Sequence, residues 1–277
     1  MKKILLIALA MLTIGSQAVN AEKKTKKERN ELKWEWDGKL SKNEDINKYL
    51  LTIDTLYNKV QAYKDNFGAF EIVQDTFTYN NKYYIVSCMA DENNNIISRA
   101  RVNWQFAQAY GDAALIILDM TNAGLMSASA ALTLPSLGLD ALKFGKHVKG
   151  GPAVISKGTE TIKEIRGRCL MNSRRWKEMK DGALEDASTI GYNGFTDEIV
   201  KKLNKCYYVK EIKEDSPEYE EVVAKFKNMS ADEIANQCQD VAQKIDKTTV
   251  LPEDKSKETE EELDVDKAMK ELEEEKS

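Results

Sequence analysis

Three aspartates in one apolar stretch are the residues of this 277-residue chain whose types and spacing come nearest to catalytic chemistry. Asp112, Asp119 and Asp140 share a stripe with a period of seven, so a helix would present them on one side. Positions seven apart lie about 10 Å from each other, too far for a carboxylate dyad but suitable for a pair that flanks a substrate, as in glycoside hydrolysis. A stripe that simply faces solvent explains the same pattern without chemistry, and we favour it.

Other catalytic patterns are missing from the sequence. The chain has one histidine, His147, which cannot build a histidine-based metal site alone, and no serine lies in a nucleophile-elbow motif. Residues 149–152 (Lys-Gly-Gly-Pro) read as a loop without phosphate-loop spacing. The sequence therefore indicates no catalytic, cofactor-binding or metal-binding residues, and it leans against an enzyme.

The four cysteines suggest structural bonds. They are widely spaced and even in number, and the chain carries an export signal, described below. An even number of cysteines in an exported chain is typical of proteins with disulfides. Three connectivities are possible, and we prefer Cys206 with Cys238 and Cys88 with Cys169. Four reduced and buried cysteines are the alternative, because a free cysteine packs as a small apolar side chain.

Two tryptophans follow the basic N-terminal residues. Trp34 and Trp36 alternate in the run WEWDGK, so an extended segment would place both indoles on one side. The interpretation that we favour is a clip that holds the N-terminal segment on the domain, because large apolar side chains gain free energy by burial. Exposed, the same pair would be a binding patch.

The apolar stretch from Tyr110 to His147 is the feature around which the other elements are expected to pack. Its composition predicts two helices, roughly 104–132 and 136–147, interrupted at Pro135. A narrow polar stripe on an otherwise apolar rod predicts burial around most of the circumference. A membrane span and a concealed membrane-inserting hairpin are the two alternatives. The expected core positions are Leu115, Ile116, Leu118, Leu125 and Leu132.

Around this rod the sequence predicts an α+β fold that is mainly α-helical. Residues 41–66 predict a helix that ends at Gly68. Three segments joined by asparagine turns, at 70–79, 83–89 and 96–102, predict a small three-stranded antiparallel meander covered by a helical bundle. Residues 206–212 are a possible isolated strand, and helices follow to about residue 247.

The two ends of the chain differ from the domain between them. Residues 1–21 have the charged, apolar and small-residue regions of a signal peptide, so we expect a periplasmic or secreted protein. Residues 22–40 form a basic spacer, 41–247 a single mostly helical domain, and 248–277 an acidic flexible tail. The net charge of −5 argues against nucleic acid as a partner.

The sequence favours an exported cell-envelope binding or structural protein, with an envelope protein as its possible partner. Charged, flexible ends suited to partners and the missing catalytic pattern support this hypothesis. A membrane-active protein that uses a concealed apolar hairpin at 110–147 is the first alternative. A carboxylate-based hydrolase is the second.

Overall fold

The structure is a computed structural model that describes residues 32–91 and 93–252, with residues 267, 268, 270 and 274. The predicted signal peptide, residues 22–31 of the predicted spacer and most of the predicted acidic tail lie outside the described residues. The described residues fall into two compact units. Unit 1 comprises the described residues within Met1–Val60 and Ile116–Thr161, and unit 2 comprises those within Gln61–Leu115 and Ile162–Ser277. The assignment of 41–247 to a single domain stays a prediction.

The predicted class, α+β and mainly α-helical with a three-stranded antiparallel sheet, is confirmed. The elements in chain order are α1 (Glu44–Phe67), β1 (Glu71–Tyr79), β2 (Lys82–Ala90), α2 (Arg99–Thr133), a 3₁₀ helix (Leu134–Asp140), α3 (Ala141–Lys180), a second 3₁₀ helix (Ala187–Ile190), α4 (Asp197–Cys206), β3 (Tyr208–Ile212), α5 (Tyr219–Phe226) and α6 (Ala231–Lys247). The three long helices α1, α2 and α3 contribute residues to both units.

Unit 1 is built from parts of α1, α2 and α3. The buried side chains of α1 recur at helical spacing and include Tyr49, which is fully buried. The Tyr49 hydroxyl lies 3.2 Å from the Ser127 hydroxyl of α2, and its ring lies against Gly151 of α3. Gly158 of α3 similarly lies close to Met120 of α2. Small residues on α3 therefore let the three helices approach closely around a shared apolar core.

The predicted loop at residues 149–152 is wrong, because α3 continues through Gly150, Gly151 and Pro152. Proline and glycine both disfavour a helix interior. Here Val148, Gly151 and Val154 are buried in unit 1, so tertiary packing outweighs the local propensity.

Unit 2 is organised around the sheet, whose strand order is β1-β2-β3. Asn80 and Asn81 both have positive φ and connect β1 to β2 in a two-residue hairpin, which confirms the predicted turn. One face of the sheet forms a core with α4 and α6. On the other face, Trp176 of α3 packs on Tyr208 with ring centroids 4.6 Å apart.

The predicted third strand at 96–102 is wrong. Ile96 makes isolated bridges to Ala90 and Val250, and α2 begins at Arg99. The buried residues that follow, Val102, Phe106 and Ala109, recur at spacings of three and four, which is the period of a helix. The third strand is instead β3, the segment predicted to stand alone, and it pairs antiparallel with β2.

Candidate functional site

The aspartates of the predicted stripe do not form one reactive centre. Asp119 pairs with Lys59 of α1 at 2.7 Å, and Asp140 pairs with Lys143 at 3.0 Å. Both carboxylates are half-buried and each is bound to its own lysine. Burial raises the pKa of Asp112, which is also half-buried, while a hydrogen bond from Gln108 opposes that shift. The arrangement is that of a stripe at the edge of a packed helix.

The expected core leucines lie on the surface, and this part of the prediction is wrong. Ile116 is buried as predicted, but four expected core leucines are exposed. Their exposed fractions are 64 % for Leu115, 58 % for Leu118, 76 % for Leu125 and 83 % for Leu132. The physical reason is that α1 and α3 cover the other side of α2, where Met120, Ala123 and Ala130 are buried. We call Leu118, Leu125 and Leu132, which all lie in unit 1, the leucine face.

The leucine face ends in an apolar tip. α2 stops at Thr133, two residues before Pro135, and the 3₁₀ helix that follows contains no buried residue. Gly138 turns the chain with φ 58° and ψ −125°, a conformation that essentially only glycine adopts. Leu139 and Leu142 are 87 % and 85 % exposed. Together with Leu132 they are the tip leucines, and all three project into solvent.

This surface lacks charge over a long stretch that ends at Asp140, and the part of α3 that follows is basic. Residues 120–139 contain no Asp, Glu, Lys or Arg. After the tip, α3 carries Lys143, Lys146 and Lys149, all exposed and spaced by three, which places them on one side of the helix. An uncharged leucine surface bordered by lysines is the pattern of helices that lie in the interface of an anionic membrane.

In the described part of the chain, one helical stretch, Arg99–Lys180, is long and apolar enough to cross a membrane by length and composition alone. The core helix of a soluble protein meets the same criterion when it is mostly buried. Here 22 % of the apolar segment is buried. The exposed leucines are therefore not explained by packing within the described chain.

The predicted disulfides are absent from the described residues, which include all four cysteines, and each cysteine is a buried thiol. Cys88 shares a side-chain hydrogen bond with Tyr207, and Cys238 shares one with Tyr192. The Cys169 sulfur lies 3.9 Å from the Phe67 carbonyl oxygen. These contacts place the thiols in apolar cores with polar partners of their own, which is the alternative that the sequence left open.

The thiols should be unreactive in the folded protein. Burial raises the pKa of Cys88 to about 12, and those of Cys169 and Cys238 to about 11, so almost no thiolate exists at pH 7. We expect no labelling by a thiol reagent under native conditions. All four cysteines should be labelled in denaturant without reductant, as counted by mass spectrometry. Two or fewer labels in denaturant would mean that disulfides do form.

Trp34 is the centre of a set of contacts that fix the N-terminal segment in unit 1. Its indole Nε1–H donates to Asp54 Oδ1 of α1 at 3.0 Å. Its ring meets that of His147 edge-on, with centroids 6.0 Å apart, and His147 hydrogen-bonds the backbone of Glu35. Trp36 is half-buried. Trp34 therefore makes the contacts expected of a clip, the clip role of the pair stays a prediction, and both indoles line a cleft described below.

The clip should weaken in acid. Burial, helped by the charge of Lys146, lowers the pKa of His147 below its ordinary value near 6.5. The unfolded segment therefore takes up the proton first, so stability from this contact is present above pH 6.5 and lost as the pH falls below it. We expect the protection factor of the Trp34 indole N–H, which compares its exchange rate with that of free indole at the same pH, to fall between pH 6.5 and 5, measured by NMR.

His147→Gln is the control, because glutamine keeps a donor but does not titrate in this range. It should remove the part of the pH dependence that comes from position 147. Equal acid sensitivity in the variant and the unsubstituted protein would show that His147 is not responsible.

The sequence indicated part of this site. It marked the Trp34–Trp36 pair and the apolar stretch, but it gave no signal that His147 and Asp54 would join the tryptophans, since they are far apart in the chain. Within residues 32–91 and 93–252, no group of three His, Cys, Asp or Glu side chains could hold a metal ion. The chain matches no protein-family model, no curated protein and no solved structure.

Proposed function

We propose that this chain is an exported cell-envelope binding protein whose unit 1 attaches to the surface of a lipid bilayer. The observation that carries the proposal is the exposed leucine surface, formed by the leucine face and the tip leucines, within a stretch of twenty residues without charge. Soluble monomers rarely expose this many large apolar side chains on one helix and the turn that follows it unless the surface binds something. The apolar hairpin would therefore bind lipid without having to be released from the core, because its leucines are already exposed.

The shape of the surface favours a bilayer over a protein groove. The leucine face is a narrow ridge along one helix. It continues onto the 3₁₀ turn, which contains no buried residue and is followed and flanked by exposed leucines. A fluid bilayer can surround such a projection. Lys146 and Lys149 match anionic headgroups, each attraction being worth about 1 kcal/mol near the surface, whereas Lys143 already pairs with Asp140.

The energetics favour attachment over crossing. Burying a leucine side chain contributes about 1.5–3 kcal/mol, so three tip leucines contribute several kcal/mol, enough for reversible attachment. Crossing would remove Met120 and Ala123 from the core of unit 1 and place the Lys59–Asp119 ion pair in hydrocarbon. The hairpin therefore binds with its leucines while its other side stays packed.

A second copy of the chain is the competing occupant. Leu118, Leu125 and Leu132 are seven residues apart, and Asn122 and Ser129 lie between them, which is the spacing of a short coiled coil. A dimer would cover the leucine face, including Leu132, but would leave Leu139 and Leu142 exposed around the turn. The two occupants differ in a simple measurement, because a dimer forms without lipid.

The test is flotation of residues 22–277 with lipid vesicles, with the oligomeric state measured in parallel without lipid. We expect a monomer that floats with vesicles containing phosphatidylglycerol, floats less at high salt, and binds phosphatidylcholine vesicles weakly. A stable dimer that fails to float with either lipid would overturn the proposal in favour of self-association.

A further inference from the structure

Unit 1 contains a cleft of about 600 Å³ on the side of the tryptophan clip. Three aromatic side chains line it, those of Trp34, Trp36 and Tyr57, and all three are half-buried. The carboxylates of Glu35, Asp37 and Asp54 also line it. Aromatic walls with a few converging polar groups are the usual make-up of a small-molecule site.

The walls are held in place before any ligand arrives. Trp34 is fixed by its hydrogen bond to Asp54 Oδ1 and by its contact with the His147 ring. The second oxygen of Asp54 has a long contact of 3.5 Å from the Asn58 amide, so it keeps capacity to accept a hydrogen bond. A preformed site loses less entropy on binding than a flexible one.

We propose that the cleft binds a saccharide. The ligand must offer an apolar face to the aromatic rings and donors to the carboxylates, and a ring with several hydroxyl groups offers both. A quaternary ammonium ion suits aromatic walls but has neither donors nor acceptors. An anion would meet three carboxylates, of which Asp37 already pairs with Lys39 at 2.7 Å.

The saccharide could be a free glycan or the headgroup of a glycolipid. Lys146 borders the cleft and lies four residues, about one helical turn, after the tip leucine Leu142. A bilayer bound at the tip would therefore bring headgroups close to the cleft. The saccharide proposal does not depend on the bilayer proposal, because soluble sugars can be tested without lipid.

The experiment is isothermal titration of residues 22–277 with oligomers of N-acetylglucosamine and of glucose, without vesicles. We expect saturable binding of at least one series. Asp54→Asn should weaken it about tenfold or more, because asparagine still accepts from Trp34 but loses the charge. Trp36→Ala should weaken it similarly, and Trp104→Phe, a tryptophan outside the cleft, should leave it unchanged.

The source is then distinguished with vesicles that carry a neutral glycolipid. If the protein binds these vesicles more tightly than the soluble sugar, and the gain in affinity is lost when the tip leucines are replaced with serine, the site is assigned to lipid-linked saccharides. Equal affinity assigns it to free glycans. The proposal is overturned if neither series binds at millimolar concentration, if Asp54→Asn and Trp36→Ala bind like the unsubstituted protein, or if tetramethylammonium binds in their place.

Discussion

Replacing the three tip leucines with serine should lower the partition of the protein into anionic vesicles by about a thousandfold or more. Leu132, Leu139 and Leu142 are the most exposed large apolar side chains in the described chain. Each gives up its transfer free energy into the bilayer when it becomes serine. Because none of them is part of the core, the free energy of unfolding should change little. The measurement is flotation over a range of lipid concentrations, with urea unfolding beside it.

The matched control removes the same number of exposed apolar side chains elsewhere. Leu40, Val73 and Met171 are 60 %, 41 % and 50 % exposed and lie outside the hairpin. Replacing these three with serine should leave vesicle binding unchanged. If both triple variants lost binding equally, general apolarity and not the tip would explain attachment.

Adding one methyl group at Gly151 should destabilise unit 1. A Cβ at this position would overlap the hydroxyl of Tyr49 and lie 2.7 Å from its Cζ, and Tyr49 is fully buried. Neither α1 nor α3 can move without disturbing the packing around them. We expect Gly151→Ala to lower the free energy of unfolding by about 1–3 kcal/mol or more, the usual cost of overpacking. Urea unfolding followed by circular dichroism measures it.

Gly124→Ala is the control for this substitution. Gly124 lies in α2 of the same unit, and a Cβ there would meet nothing within 4 Å. Alanine in an open helical position should stabilise by about 0.5–1 kcal/mol. Equal stability of the two variants would contradict the close approach of α1 and α3 at Gly151.

Local signals in the sequence were sufficient for several elements. The Asn80–Asn81 hairpin and the end of α1 before Gly68 are confirmed. Each depends on side chains and backbone conformations within a few residues, so no knowledge of the distant chain is needed.

The exposed leucines of α2 could not be predicted from the local sequence pattern. A helix with a narrow polar stripe is expected to be buried on all its other sides. Instead, α2 buries only the side that carries Met120 and small residues such as Ala123 and Ala130. Leucines outside that side are left exposed. Hydrophobicity alone cannot tell a side chain that packs inside the chain from one that binds a partner.

Long-range pairing was also beyond the sequence pattern. Residues 96–102 and 208–212 both have strand-like composition, and β2 pairs with the second. The aromatic cleft follows the same rule, because Trp34, Asp54 and His147 meet only once α1 and α3 have packed. The sequence pointed to individual residues, but it did not predict which of them contact one another.

Bilayer attachment through the tip is tested most directly by a spin label at Leu139→Cys, with Ser156→Cys on the exposed side of α3 as the control. The native thiols are buried, so a reagent should label the introduced cysteine selectively. With anionic vesicles, we predict that the label at 139 gains contact with oxygen and loses contact with a water-soluble nickel complex, while the label at 156 is unchanged. If the label at 139 stays as accessible to the nickel complex with vesicles as without them, the tip does not enter the bilayer and the central claim is wrong.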